Sequence, residues 1–231
     1  MTYASALERS RSLPRPNPAM IGRFTVDGED IDFPVSEADL DRDSLWWKEI
    51  LRGYGVKAGD HVLISSHAWH CPWIDPIRTA LTKLGAVHSN VEAWGWDAPR
   101  MASFLRRFPI SLIVGLELES VLALENSEDL KVLLGDVTLL AQPKAVERLN
   151  ECGFRAATIL RIGPANAVAP AGESGTARLI IDNDEWLIQT QGNEFVVTSR
   201  SERSARFERQ LTGVHGRTLH VEDRTYLELQ A

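Results

Sequence analysis

The segment at residues 36–53 shows the clearest periodic pattern of apolar and polar positions. Apolar residues recur there every three or four positions, which predicts an amphipathic helix. They are Leu40, Leu45, Trp46, Ile50 and Leu51. Ser36 with Asp39 three residues later has the spacing of an N-terminal cap, and Gly53 and Gly55 predict the end of the helix.

Strand-like and helical patterns alternate along the next hundred residues. Short apolar runs predict strands at 61–66, 86–90, 111–114 and 156–162. Periodic segments predict helices at 72–84, 98–108 and 143–152, with Asp97 as the N-cap of the second. This alternation predicts an α/β fold with a mixed, largely parallel sheet flanked by helices.

The pattern changes from about Ala177 onward. The runs "ARLIID", "EWLIQT" and "NEFVVTS" read as short strands separated by polar turns, which predicts a smaller antiparallel β unit at the C-terminal end. Residues 1–20 are rich in proline and arginine and are expected to form a flexible arm. We therefore expect an arm at 1–20, an α/β core at 21–170 and a β-rich subdomain at 171–231.

Charge and composition exclude several classes of function. The net charge is −7 with no sustained basic stripe, so we expect no nucleic-acid partner. No apolar run reaches the length of a membrane span, and the two cysteines do not suggest a disulfide scaffold. These features favour a cytoplasmic protein. Six of the seven tryptophans lie between Trp46 and Trp96, and they are expected either to pack in the core or to form a contact surface.

Three segments of the first half carry a family resemblance through their order. They are "LRGYGVKAGDHVLISS", "ALTKLGAVHSN" and "WDAPRMASFLRRFPISLIVG". In this order they resemble the adenylate-forming superfamily, which includes acyl-CoA synthetases, phenylacetate-CoA ligase-like enzymes and peptide-synthetase adenylation domains. The resemblance covers roughly residues 24–220. It implies ATP-dependent activation of a carboxylate to an acyl-adenylate, followed by transfer to a thiol.

The family's phosphate loop, a run of Ser, Thr and Gly that ends in Pro-Lys, has no counterpart here. The corresponding stretch is "FTVDGEDIDFPVS", which has one glycine, four carboxylates and no lysine. Four carboxylates would repel a triphosphate. We expect the acidic stretch 27–32 to be a solvated loop, with cation binding as the alternative.

Two further motifs of the family are present without their reactive side chains. In "RIGPANA" the family's threonine and acid at the adenine site are replaced by Ala165 and Asn166. In "RQLTGVHGR" the aspartate that holds the ribose hydroxyls in the family is replaced by Val214, which accepts no hydrogen bond. The resemblance thus marks a vestigial nucleotide site at Gly163, Pro164, Asn166, Arg209, Thr212 and Val214.

The resemblance also places an acyl pocket after the first parallel strand, at "SSHAWHCPW". The candidate ligand-pocket residues are His67, Trp69, His70, Cys71 and Trp94. The alternatives are aromatic packing in the core, a zinc site at His67, His70 and Cys71, or a general base at His70 that activates Cys71. Packing is favoured over the other two, and we expect no metal.

These losses together predict a non-catalytic, truncated relative of adenylate-forming ligases. The sequence ends at Ala231, just past the position where the family's mobile C-terminal domain would begin, so we expect that domain to be absent. We expect no ATP, Mg²⁺ or coenzyme A as cofactor. The predicted role is an accessory or scaffold subunit with a protein partner or as a homodimer. The alternative is a protein or altered enzyme that binds a small carboxylate, aryl or acyl-thioester ligand.

Overall fold

A β-hairpin opens the computed structural model, which describes residues 17–174, 178–221 and 224–230. Most of the predicted arm, residues 1–16, lies outside this range. The hairpin consists of β1 (Met20–Val26) and β2 (Glu29–Val35) joined by Asp27 and Gly28, which both have positive φ. An Asp-Gly pair is favoured at such tight turns. The prediction of a solvated loop at 27–32 is therefore wrong, because these residues form the turn and the start of β2.

Six helices and eleven further strands follow within the described residues. The helices are α1 (Glu37–Gly53), α2 (Cys71–Leu84), α3 (Ala98–Arg107), α4 (Leu118–Ser127), α5 (Leu130–Leu134) and α6 (Pro143–Glu151). The strands are β3 (His61–Ser65), β4 (Val87–Val91), β5 (Ile110–Leu116), β6 (Thr138–Ala141), β7 (Ala156–Ile162), β8 (Ala165–Val168), β9 (Leu179–Ile181), β10 (Trp186–Gln191), β11 (Glu194–Ser199), β12 (Gln210–Val221) and β13 (Arg224–Leu229). None of the helices in this part of the chain is both long and apolar enough to cross a membrane.

The eleven strands form one mixed sheet in the order β10-β11-β12-β13-β9-β8-β7-β6-β5-β3-β4. Strands β4, β3, β5, β6 and β7 run parallel, and the pairs from β7 through β10 are antiparallel. The predicted α/β class with an antiparallel C-terminal unit is confirmed. The predicted boundary at residue 170 falls between β8 and β9, which pair directly, and the division into a core and a subdomain stays a prediction.

Helices cover both faces of the parallel part of the sheet. Successive residues of β3 alternate between two buried clusters: Val62 and Ile64 belong to one, and Leu63 belongs to the other. The first cluster includes Trp47 of α1 and Ile77 of α2. The second is built from α3, α4 and α6. This alternation follows from the two-residue repeat of a strand that is buried on both faces.

The predicted N-terminal cap of helix α1 is confirmed, but the prediction of its apolar face is partly wrong. The Ser36 Oγ accepts a hydrogen bond from the Asp39 amide at 3.2 Å, and the Asp39 carboxylate accepts one from the Ser36 amide at 2.9 Å. Leu45, predicted on the apolar face, is 56% exposed, whereas Trp47 is fully buried. The buried positions 44, 47 and 51 and the half-buried Leu40 follow the helical repeat, and Leu45 lies off that line.

A buried cluster of ion pairs, formed by Arg203, Asp43 and Glu185, connects α1 with the C-terminal β unit. The Arg203 guanidinium, only 6% exposed, binds Asp43 of α1 at 2.8 Å and Glu185 at 2.5 Å. It also lies over the Trp186 ring, 4.3 Å from the ring centroid. Arg203 thus neutralises carboxylates from two distant parts of the chain.

Candidate functional site

The predicted pocket residues gather at the carboxyl ends of the parallel strands. His67 follows β3, Trp94 follows β4, and Glu117 directly follows β5. Ligands of open α/β sheets bind along this edge, because the loops that leave the strands meet there. The short 3₁₀ turn Ala68–His70 then leads into α2 and places Trp69 beside His67.

The rings of His67, Trp69, His70 and Trp94 contact one another and form an aromatic cluster. Trp69 stacks on His67 with a centroid distance of 4.5 Å and an interplanar angle of 12°, and Trp94 lies 4.4 Å from the same imidazole. His70 meets His67 edge-on at 5.1 Å. Four of the five predicted pocket residues therefore come together, but their own rings fill much of the space between them.

The loop that carries Trp94 is closed by hydrogen bonds to Asp97, whose amide donates to the Trp94 carbonyl at 3.0 Å. The carboxylate of Asp97 accepts hydrogen bonds from the Glu92 amide at 2.7 Å and from Arg100. Asp97 occupies the N-cap position of α3, yet its side chain makes no cap hydrogen bond. The predicted capping role of this side chain is wrong, because the loop amide and Arg100 compete for the carboxylate.

Glu117 and Arg161 complete the site and were missed by the sequence reasoning. The His67 Nε2 lies 3.2 Å from a Glu117 oxygen, and the Arg161 guanidinium lies 3.8 Å from the other oxygen of that carboxylate. Arg161 also approaches the His70 Nδ1 at 3.1 Å. The only available signal was that both residues stand at the end of a predicted strand, where side chains converge on this edge.

Two features of this network are energetically unfavourable. The Nδ1 of His67 is buried and has no hydrogen-bond partner among the described residues, which costs about 1–3 kcal/mol. Burial also lowers the pKa of Arg161, and its one ion pair among the described residues, with Glu117, is long at 3.8 Å. The site therefore holds a partly desolvated cation that is incompletely paired.

We expect His70 to make folding stability depend on pH. Burial, together with Arg161 and His67, lowers the pKa of His70 to about 3, so the ring is neutral in the folded protein and protonates near pH 6.5 only when unfolded. This contribution to stability is fully present above pH 6.5 and is lost as the pH falls toward 3. His70→Gln is expected to reduce the loss of unfolding free energy between pH 7 and pH 5 by about 1–2 kcal/mol in urea titrations. The exposed His220→Gln is the control, and an unchanged acid loss in His70→Gln would contradict the prediction.

The hydrogen bonds of Cys71 and His70 do not join their two side chains. Its thiol donates a hydrogen bond to the Ala68 carbonyl at 3.0 Å, and the His70 Nδ1 faces Arg161 instead. These contacts give no support to a base–nucleophile pair of His70 and Cys71. Within the described residues, no three His, Cys, Asp or Glu side chains are grouped to hold a metal, so this arrangement gives no support to the zinc alternative at His67, His70 and Cys71.

The positions predicted to form a vestigial nucleotide site are only partly brought together. Gly163 forms the turn between β7 and β8, where a methyl group would lie 3.3 Å from Thr212 and 3.6 Å from the Phe24 ring. A methyl group at Gly213 would lie 2.9 Å from the Thr25 carbonyl. Strand β1 therefore packs directly on both motifs.

The polar groups of these motifs are used by the fold. The Thr212 hydroxyl donates to the Phe195 carbonyl at 2.9 Å, and the Asn166 amide donates to the Trp73 carbonyl at 3.2 Å. Arg209 reaches Gln189 and Gln191 on the edge strand β10. Val214 packs against the larger hydrophobic cluster, and Pro164 lies near Trp47 and Trp186 around a very small cavity.

Comparisons with known proteins identify the fold. Neither a protein-family model nor a curated protein sequence matches this chain. Among solved structures, 2-hydroxyisobutyryl-CoA ligase in the postadenylation state aligns with 94% of this chain and 51% of its own, with a TM-score of 0.68 and 14% identity. The apo structure of Mycobacterium smegmatis MbtA aligns with 97% of this chain and 49% of its own, with a TM-score of 0.63 and 13% identity.

The structure of a third ligase aligns with this chain to a similar extent. The malonyl-CoA ligase ternary product complex with methylmalonyl-CoA and AMP aligns with 95% of this chain and 54% of its own, with a TM-score of 0.61 and 11% identity. The chain thus has the fold of adenylate-forming ligases, as its motif order predicts, and it spans about half the length of these relatives. At this level of identity the likeness establishes the fold.

Proposed function

We propose that this chain is a non-adenylating protein with the adenylate-forming ligase fold that acts as an accessory or scaffold subunit. The observation that carries this proposal is the packing of β1 on both vestigial motifs. Phe24 contacts the Gly163 turn, and the Thr25 carbonyl approaches Gly213 so closely that even a methyl group would not fit. Because the hairpin takes the space between these motifs, little room remains for a nucleotide.

The charges around the motifs support the same proposal. The hairpin carries Asp27, Glu29, Asp30 and Asp32, and Arg23 already pairs with two of these carboxylates, at 3.1 Å and 2.5 Å. The stretch 24–36 holds no lysine to offset them, and Val214 offers no acceptor to a ribose hydroxyl. A magnesium-free polyphosphate would be repelled here.

Calorimetric titration with ATP and Mg²⁺, and then with AMP, tests the nucleotide part of the proposal. We expect no saturable heat at millimolar nucleotide, either for the wild type or for Val214→Asp, because the added carboxylate does not remove the hairpin. Val221→Asp, on an exposed position of the same strand, controls for the added charge. Saturable binding of ATP or AMP by the wild type would refute the proposal.

The accessory role rests on an exposed aromatic side chain at the same edge of the sheet. Trp47, Trp73 and Trp186 are buried, whereas Trp96 is 69% exposed beside the aromatic cluster. Large exposed aromatics are enriched at protein interfaces. We expect light scattering to find a homodimer, or affinity purification to recover a partner, that is weakened by Trp96→Ser. A monomer that recovers no partner would contradict this role.

A small-molecule site is the second candidate, and Arg161 is the observation that favours it. A desolvated guanidinium with one long ion pair is suited to a carboxylate ligand, which would form two charge-assisted hydrogen bonds. We expect a carboxylate that binds at this edge to lose about 10- to 100-fold in affinity in Arg161→Gln, measured by titration. Arg155→Gln, at an exposed position, is the control. Equal affinities for both variants would exclude Arg161 as the anchor.

A further inference from the structure

A small cavity of about 10 Å³ lies where α1 meets the antiparallel part of the sheet. Asp43 and Trp47 line it from α1, Asn166 lines it from β8, and Asp182 lines it from the position directly after β9. A cavity of this size accommodates one water molecule and no larger ligand. Its polar lining comes from three separate parts of the chain.

Trp47 brings an unpaired hydrogen-bond donor to this cavity. Its side chain is fully buried, and its indole Nε1 has no hydrogen-bond partner among the described residues. Buried tryptophan N–H groups usually find an acceptor, because a donor that has lost its hydration is costly. Trp73 shows the usual arrangement, since its Nε1 donates to the Gly163 carbonyl at 3.1 Å. The Trp47 N–H therefore requires an acceptor that the protein itself does not supply.

The other polar groups of the lining offer oxygen atoms that can accept hydrogen bonds. Asp43 binds Arg203 at 2.8 Å, but a carboxylate has about four lone-pair sites and can accept more. The Asn166 Nδ2 donates to the Trp73 carbonyl at 3.2 Å, which leaves its Oδ1 as an acceptor. Burial raises the pKa of Asp182 to about 6, because its ionised carboxylate is poorly solvated. A donor in the cavity would stabilise these oxygens.

We propose that the cavity binds one ordered water molecule, which accepts a hydrogen bond from the Trp47 Nε1 and donates to the carboxylates of Asp43 and Asp182. The proposal is independent of the proposed function. The ligand must accept and donate at once, because an indole only donates and an ionised carboxylate only accepts. A metal or ammonium cation accepts nothing from the indole, and a halide would face two carboxylates. Water meets both requirements at this size.

This water connects α1 with the C-terminal β unit beside the ion pairs of Arg203. Hydrogen bonds through a buried water are nearly as favourable in enthalpy as direct ones, and such waters are costly to remove. Asp43 belongs to both networks, since it binds Arg203 and lines the cavity. The water site thus adds a polar contact that does not depend on direct meeting of the two side chains.

Nuclear magnetic resonance of the full-length chain tests the site through the indole N–H signals. At about pH 8, where Asp182 is ionised and carries no exchangeable proton, we expect the Trp47 indole to show a dipolar cross-peak to water. Rotating-frame spectra distinguish this peak from proton exchange by its sign. The Trp73 indole is the matched control, because it is also buried but donates directly to Gly163, and it is expected to show no such peak.

A crystal structure of the same chain provides the second measurement. We expect one ordered water at about 2.7–3.2 Å from the Trp47 Nε1 and from an oxygen of Asp43 or Asp182. A direct hydrogen bond between Nε1 and either carboxylate, with the cavity closed, would overturn the proposal. So would a metal ion in the cavity, or a Trp47 indole that lacks a dipolar water peak just as Trp73 does.

Discussion

Arg203→Ala is expected to lower the free energy of unfolding by about 3–5 kcal/mol. The substitution leaves Asp43 without its cation in a buried position and removes the guanidinium from the Trp186 ring, while Glu185 keeps Arg42 at 3.2 Å. Uncompensated buried carboxylates are costly because they have lost hydration without gaining a partner. Urea unfolding at neutral pH, followed by far-UV circular dichroism, measures this loss.

An exposed ion pair provides the matched control for Arg203. Arg23 also binds two carboxylates, but its side chain is largely exposed, so Arg23→Ala is expected to cost far less stability than Arg203→Ala. A loss of similar size in both variants would mean that burial does not set the strength of the cluster. In that case the buried ion pairs of Arg203 would not be what stabilises the contact between α1 and the C-terminal β unit.

Gly115→Ala is expected to cost about 3 kcal/mol or more, and to disturb the candidate site. Gly115 has φ 89° at the next-to-last position of β5, and a methyl group there would lie 2.4 Å from the Ser65 carbonyl oxygen. The left-handed backbone accounts for about 1–2 kcal/mol, and the overlap adds about 1–3 kcal/mol. Since Ser65 leads to His67 and β5 leads to Glu117, the near-UV circular dichroism of the tryptophans is expected to change too.

Gly28→Ala separates the cost of the left-handed backbone from the cost of the steric overlap. Gly28 has φ 84° in the hairpin turn, but a methyl group there would meet no atom within 4 Å. This variant therefore carries the backbone cost alone, and its unfolding midpoint in urea is expected to fall less. If both variants lose the same stability, the close approach of Gly115 to Ser65 makes no separate contribution.

The sequence predicted the α/β fold because each helix and strand depends mainly on residues that are close to one another in the chain. The cap at Ser36 depends on a residue three positions away, and the buried strands depend on unbroken apolar runs. The hairpin was missed because its charges were given more weight than the alternation of Phe24, Ile31 and Phe33 around Asp27 and Gly28. That alternation and the Asp-Gly turn were the available signals.

Which residues form the candidate site was less predictable than the α/β fold. His67, Trp69 and His70 are close in sequence, so their grouping followed from one segment. Arg161 reaches them only because β7 and β3 belong to the same sheet, which no local pattern encodes. The mutual stacking that fills the predicted pocket depends on side-chain packing, which periodicity does not describe.

The glycines and the threonine of the "RQLTGVHGR" segment are held in place by contacts within the sheet. A methyl group at Gly216 would lie 2.3 Å from the Glu228 carbonyl oxygen, and the amides of Thr212 and Gly213 both donate to Glu194. These positions are constrained by the sheet whether or not a nucleotide binds. The sheet alone therefore accounts for these residues, and their presence in the chain does not indicate nucleotide binding. Val214 packs against the larger hydrophobic cluster, so this position also serves the fold.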